Sequence, residues 1–146
     1  MFEPSDDQAA LKEAAREAAL SVLGPTARED DEAERFRKER MGALGEAGLC
    51  GVATPEAWGG LGLGYVEYAM VLEEIAKVSP SYAVGVAVTG LPQLILNLFG
   101  DDAQRAAWLP GLRWSSSPAK GSSGRRAWGT ANSTRRAGWT GTVMAT

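Results

Sequence analysis

From Val78 to Gly100 the chain carries no charged side chain; Lys77 and Asp101 bracket the stretch. A helix that is apolar all round has to be covered, either by lipid or by other helices. This stretch therefore constrains everything else the chain can build. About 20 apolar residues suffice to cross a hydrocarbon core, but the details argue for the interior of a helical body. Pro92, Gln93 and Asn97 sit in its second half. Gly85 and Gly90 weaken it as a helix, and no Lys/Arg cluster marks one end as an orientation signal. No membrane span is expected. Proline suits the first turn of a helix, so a break is expected near Gly90-Leu91-Pro92, with a second, shorter helix following.

A chain of 146 residues with 45% hydrophobic content holds one domain with a real core and room for a tail. The net charge of −3 hides an asymmetry. Residues 113–146 carry six basic side chains and no acid, whereas 1–112 carry nine basic and eighteen acidic ones. The division expected is a helical domain over 1–112 and a basic, low-complexity tail over 113–146. That tail has no Leu, Ile or Phe, holds three of the five tryptophans and follows no strand or helix period, so disorder is expected there.

The single cysteine, Cys50, rules out an intramolecular disulfide and a multi-cysteine zinc site. The chain has no histidine, which removes the commonest general base, the commonest metal ligand and any Ser-His triad. No metal site and no catalytic residue are assigned. The first residues show neither a basic nor an apolar leader region, and a cytoplasmic setting is the expectation.

In chain order, Ser5 and Gln8 have capping-box spacing for a helix over Asp6 to Leu23, stopped by Gly24-Pro25. Leu11, Ala15, Ala18 and Val22 fall on one face. After a charged connection at Arg28 to Asp31, a second helix is expected from Glu32 to Ala47, with Phe36, Met41 and Leu44 inward and Gly48 just past its end. Leu49 to Gly64 reads as a loop. Its Gly59, Gly60, Gly62 and Gly64 lack the strand before and the Gly-Lys-Ser/Thr of a phosphate cradle, so a turn is the better reading. A third helix covers Tyr65 to Lys77, with Val66, Ala69, Met70, Glu73 and Ile75 on its apolar face. Glu73 and Glu74 point about 100° apart on a helix and cannot form a facing acid–base dyad. A partly buried, paired acid is the favoured alternative. Ser79-Pro80 opens the apolar helix, and Asp101 with Gln104 caps a last one, ending at Leu109 before Pro110-Gly111. The fold class expected is all-α, an up-down bundle of five or six helices with short connections.

Three segments carry a family resemblance. Glu46-Ala-Gly-Leu-Cys-Gly-Val-Ala-Thr-Pro-Glu-Ala-Trp-Gly-Gly-Leu-Gly62 resembles the "EaGl.g...PeeyGG.G" segment of acyl-CoA dehydrogenases. Leu72-Glu-Glu-Ile-Ala76 resembles their "eEla" helix, and Leu96 to Leu112 is similar to their "i..fGteeqk..wLp.l". Order and spacing match from about residue 5 to 112, which is the family's N-terminal helical domain only.

The resemblance implies an FAD-dependent α,β-dehydrogenation of acyl-CoA thioesters, with homo-oligomeric full-length members. It implies a β-domain and a second helical domain that this sequence does not show. In such a division of labour the protein positions and tunes while the flavin carries the redox chemistry. By resemblance, the helix matching Ser81 to Leu91 lines the acyl tail, with Val84, Ala87, Val88 and Leu91 facing it; ordinary core packing is the competing reading for each. Trp58 and Tyr82 are weaker candidates. Residues that bind the cofactor are not identified.

After Leu112 the resemblance stops. The flavin-contact motif "TEp.aGSD" is missing, and the chain reads Arg113-Trp-Ser-Ser-Ser-Pro-Ala-Lys120. A reading-frame change near codon 113 is the hypothesis that fits the charge flip; translating the downstream DNA in the other two frames tests it. On its own the chain is expected to be inactive. Two alternatives stay open: a non-enzymatic helical module that pairs with separately encoded flavoprotein domains, and a nucleic-acid or surface binder acting through the basic tail.

Overall fold

A computed structural model describes residues 3–114; from residue 115 onward the expected tail lies outside the described residues. Among them are six helices and no strand: α1 (Asp6–Leu23), α2 (Ala27–Glu32), α3 (Lys38–Glu46), α4 (Tyr65–Val78), α5 (Pro80–Phe99) and α6 (Asp102–Leu112), with one 3-10 turn at Glu56–Trp58. The all-α expectation holds.

Helix ends that depend on local chemistry fall where the sequence puts them. The Ser5 side chain accepts from Gln8 N–H while Gln8 Oε1 accepts from Ser5 N–H, and Asp6 and Asp7 sit at the positive end of the α1 dipole. The same reciprocal pair forms between Asp101 and Gln104 at α6. Past α3, Gly48 takes the left-handed conformation at φ 82°, so that Leu49 N–H reaches Leu44 O and Gly48 N–H reaches Gly45 O.

Three expected boundaries move. The expected helix Glu32 to Ala47 is two helices, and the supposed connection Arg28 to Asp31 lies inside the first. The break is a second closing motif of the same type: Arg35 N–H bonds Asp30 O, Glu34 N–H bonds Asp31 O, and Glu34 holds φ 49°. Glutamate rarely takes that position, so composition gave no sign of it. Phe36 consequently lies outside the core, 52% exposed, stacked on Tyr82 at 5.1 Å between ring centroids. The apolar helix is not interrupted either. α5 runs through Pro92, and α6 through Pro110 to Leu112. An interior proline costs about 3 kcal/mol, and α5 can bear it because α4 holds its first half, through Tyr68 on Val86 O, and α6 its second, through Arg105 on the carbonyls of Leu96 and Asn97.

The chain order of contacts sets the architecture. α4 turns back into α5 at Ser79, and α5 into α6 at Gly100-Asp101, so these three run up, down, up. α1 lies parallel to α4, as Gln8 bonds Glu67 and Lys12 pairs with Glu73 and Glu74. The core sits between α1, α3, α4 and α5, where Ala15, Ala19, Leu23, Met41, Leu44 and Ile75 are closed off. The buried face of α4 is Met70, Val71, Glu74 and Ile75. Val66, Ala69 and Glu73, expected inward, are exposed. The face turns because α1 and α5 flank α4 on two sides and fix which stripe is covered.

Candidate functional site

α5 is two-faced. Tyr82, Ala83, Val86 and Gln93 are buried. On the other side Val84, Val88, Leu91, Ile95 and Leu98 recur at intervals of 4, 3, 4 and 3 residues, each 57 to 63% exposed, and Phe99 ends the row at 82%. By length and composition this helix could cross a membrane, but here its polar Gln93 points into protein. The four residues matched to an acyl wall share a face: Val84, Val88 and Leu91 are bare and Ala87 is half-buried beside them. Ile95, Leu98 and Phe99 extend that face beyond what sequence reasoning assigned. The expected break at Pro92 hid them; the unbroken 4-3-4-3 spacing was the signal that could have found them.

The buried side of α5 is held by side-chain amide and phenol groups. Gln93 Oε1 accepts from Thr54 Oγ1, and Gln93 Nε2 donates to the carbonyls of Cys50 (2.9 Å), Thr89 (3.0 Å) and Leu112 (3.2 Å). One side chain thus ties α5 to the Cys50–Thr54 loop and to the end of α6. Tyr68 on α4 donates to Val86 O at 2.9 Å, and burial pushes its phenol up to about 12. Gly90 makes this approach possible, because a Cβ there would overlap the Tyr68 hydroxyl. Tyr82, a weak pocket candidate from sequence, serves packing: its hydroxyl accepts from Arg37 N–H at 2.9 Å and donates to Arg37 O at 3.3 Å. Trp58 lies half-buried in the 3-10 turn.

The glycine-rich segment is a closed turn. Its amides are spent internally: Gly59 on Glu56 O, Gly60 on Pro55 O, Leu61 on Gly51 O, Gly62 on Thr54 O and Leu63 on Val52 O. A phosphate cradle needs such N–H groups free and convergent. Space above the turn is filled as well, since a Cβ on Gly59 would come within 2.9 Å of the Arg113 guanidinium. Arg113 Nη1 donates to Gly59 O at 2.5 Å while its Nε is buried without a partner. Burial holds that guanidinium below its usual range. The segment therefore does not fit the phosphates of a flavin dinucleotide.

The buried carboxylates, Asp30 and Glu74, are paired rather than poised as bases. Glu74 is buried between Lys77 (2.8 Å) and Lys12 (3.5 Å). Hydrogen bonds from Lys12 and then Lys77 hold exposed Glu73 below the usual carboxylate range. Asp30 sits in the interior against Arg37 Nε at 2.6 Å and Thr26 at 2.9 Å; burial opposes its charge, but these bonds outweigh it and keep it below the ordinary range. Cys50 is buried and its thiol is pushed up to about 12, which leaves it a packing residue. Among the described residues no group of three His, Cys, Asp or Glu is placed to hold a metal ion.

With this geometry in view, the likenesses to known proteins follow. Residues 5–113 match the family model described as Acyl-CoA dehydrogenase, N-terminal domain. The mitochondrial isovaleryl-CoA dehydrogenase of Pongo abelii is 34% identical over 113 residues, 74% of this chain and 26% of that protein. A probable acyl-CoA dehydrogenase of Mycobacterium tuberculosis is 33% identical over 112 residues, 77% of this chain and 29% of its own length. The 3-sulfinopropanoyl-CoA desulfinase of Paraburkholderia xenovorans is 31% identical over 106 residues, 72% of this chain and 27% of that protein. A chain from work on the electron transferring flavoprotein of Acidaminococcus fermentans and flavin-based electron bifurcation superposes with TM-score 0.71 at 30% identity, covering 78% of this chain and 30% of that one. The chain spans about a quarter of the length of the curated relatives it matches.

Proposed function

The chain belongs to the acyl-CoA dehydrogenase family by its N-terminal domain, and from that premise we propose that its helical body forms one wall of an acyl-CoA pocket. The face Val84, Ala87, Val88 and Leu91 would lie along the acyl tail. The observation that carries this reading is the bare, charge-free side of α5. An acyl tail gains about 0.8 kcal/mol per methylene buried, and a charge on the wall would have to be desolvated against it. Ala87 leaves the face lowest midway along, between Val84 and Leu91.

Flavin use belongs to the family, and FAD would supply the redox step when bound. The closed glycine turn offers no cradle for its phosphates, and the contribution we assign to residues 3–114 is to shape, orient and exclude water. We take the chain to be inactive alone, with its acyl-CoA substrate and any homo-oligomer belonging to the complete family assembly. A ferrocenium-type acyl-CoA oxidation assay with added FAD checks inactivity; robust turnover would refute it. The wall is tested by a chimera in which residues 5–113 replace the matching segment of an isovaleryl-CoA dehydrogenase. Ala87→Leu in that chimera should raise KM for longer acyl-CoA substrates more than for short ones. An unchanged chain-length profile would remove Ala87 from the wall.

A second reading, a helical module that pairs with separately supplied flavoprotein domains, draws on the same uncovered face and the quarter-length match. Co-purification with a flavoprotein lacking this segment would favour it.

A further inference from the structure

We infer that Gln93 is a positioning residue for the proposed wall, a role that rests on the acyl-wall reading above. Its side chain keeps the turn from Val88 to Pro92 closed, so that Val88 and Leu91 stay in line with Val84 and Ala87.

Pro92 is the weak point of α5. It has no N–H to give Val88 O, and its ring presses on that carbonyl. Sharp helix kinks gather at proline, and the turn that opens is the one before it. That turn carries Val88 and Leu91, two of the four residues assigned to the wall. Yet α5 runs from Pro80 to Phe99 without a break.

Apolar burial does not explain this setting of the helix. Val84, Val88, Leu91 and Ile95 are bare. Each follows an inward residue, Tyr82, Val86, Thr89 or Gln93, by two positions, which is about 200° round the helix. α5 therefore turns its more polar side to the body and its more apolar side outward. Burial of apolar area favours the reverse, so polar contacts have to fix the observed setting.

Gln93 makes those contacts at the residue after the proline, where it is 4% exposed. Its Nε2 donates to Thr89 O at 3.0 Å, a side-chain bridge across the turn that Pro92 weakens. The same group reaches Cys50 O at 2.9 Å and Leu112 O at 3.2 Å, and Oε1 accepts from Thr54 Oγ1. On the other side of the proline, Tyr68 holds Val86 O at 2.9 Å. The vulnerable turn thus lies between two anchors, and Gln93 is the one that spans it.

Backbone residual dipolar couplings of the isotope-labelled 146-residue chain give the angle between residues 81–88 and 93–99. Gln93→Leu should bend the second segment by at least ~20° from its parent orientation. Pro92→Ala/Gln93→Leu should restore that orientation, because the amide then has no proline to oppose. Leu23→Ala, buried on α1, lowers stability and should leave the angle alone. Should Gln93→Leu not fold, the pair with Pro92→Ala is still expected to fold. Failure of both, an unchanged angle, or a bend that persists without the proline would overturn the role of Gln93.

In the chimera described above, all these partners of Gln93 lie within residues 5–113. There Gln93→Leu should raise KM at least ~10-fold for acyl-CoA substrates that reach Leu91, the equivalent of about two methylenes uncovered. kcat should change little, and Pro92→Ala should recover KM. If Ala87→Leu shifts the chain-length profile and Gln93→Leu does not, the positioning role falls and the wall stands. If Gln93→Leu bends the helix and neither variant alters KM, the wall falls and the positioning role with it.

Discussion

Gln93 in the middle of α5 accepts a hydrogen bond from Thr54 Oγ1 in the interior, and this pair joins the apolar helix to a loop 39 residues earlier in the chain. The same amide nitrogen donates to three carbonyls. Gln93→Leu strands several buried groups at once, and each costs about 1–3 kcal/mol. The expected loss is about 3 kcal/mol, read as a lower urea midpoint at constant m. In Thr54→Val/Gln93→Leu the combined loss should fall well short of the sum; strict additivity would show that the two side chains are not coupled.

Gly90→Ala sets two effects against each other. Helix propensity alone favours alanine by about 1 kcal/mol. Overpacking against the Tyr68 hydroxyl costs about 1–3 kcal/mol and also threatens the bond to Val86 O. The clash should win, and Gly90→Ala should lower the midpoint. Tyr68→Phe in the same chain should recover part of the loss, since it removes the atom that a Cβ overlaps. A stabilised Gly90→Ala single variant would contradict the close approach.

Asp30 supplies a pH dependence with a definite sign. Its folded-state pKa lies below the ordinary 3.8. The unfolded chain therefore binds this proton more readily, and the stabilisation is fully present above about pH 4–5 and disappears as pH falls through the depressed value. Unfolding free energy measured from pH 6 down to pH 2 should drop less steeply for Asp30→Asn than for the parent chain. The variant should also be less stable near neutrality, because Arg37 Nε then faces an uncharged partner. Parallel curves would place the acid sensitivity elsewhere.

Cys50 should ignore thiol reagents in the native state. With the thiol pushed up to about 12 by burial, almost no thiolate exists at pH 8. Labelling by an aromatic disulfide should therefore proceed at the rate of unfolding or local opening, and become immediate in denaturant. Fast labelling of folded protein would mean the core around Leu49 to Val52 is open.

What could be read from the sequence alone was set by contacts within a few residues. Ser5 with Gln8, Asp101 with Gln104, Gly48 after α3 and Pro80 at the head of α5 fixed helix ends, because a cap satisfies backbone groups one turn away whatever lies outside. The same local logic showed Gly59 to Gly64 to be a turn. Three segments in family order pointed to the family to which residues 5–113 belong. Tertiary structure decided the rest. It chose Glu74 over Glu73 for the interior, put Phe36 outside behind a glutamate in a left-handed turn, carried α5 straight through Pro92, and left the row from Val84 to Phe99 uncovered. Each of these turns on which neighbours flank a helix. An apolar side chain reads the same in sequence whether α4 covers it or nothing does, because burial is a property of the partner as much as of the residue.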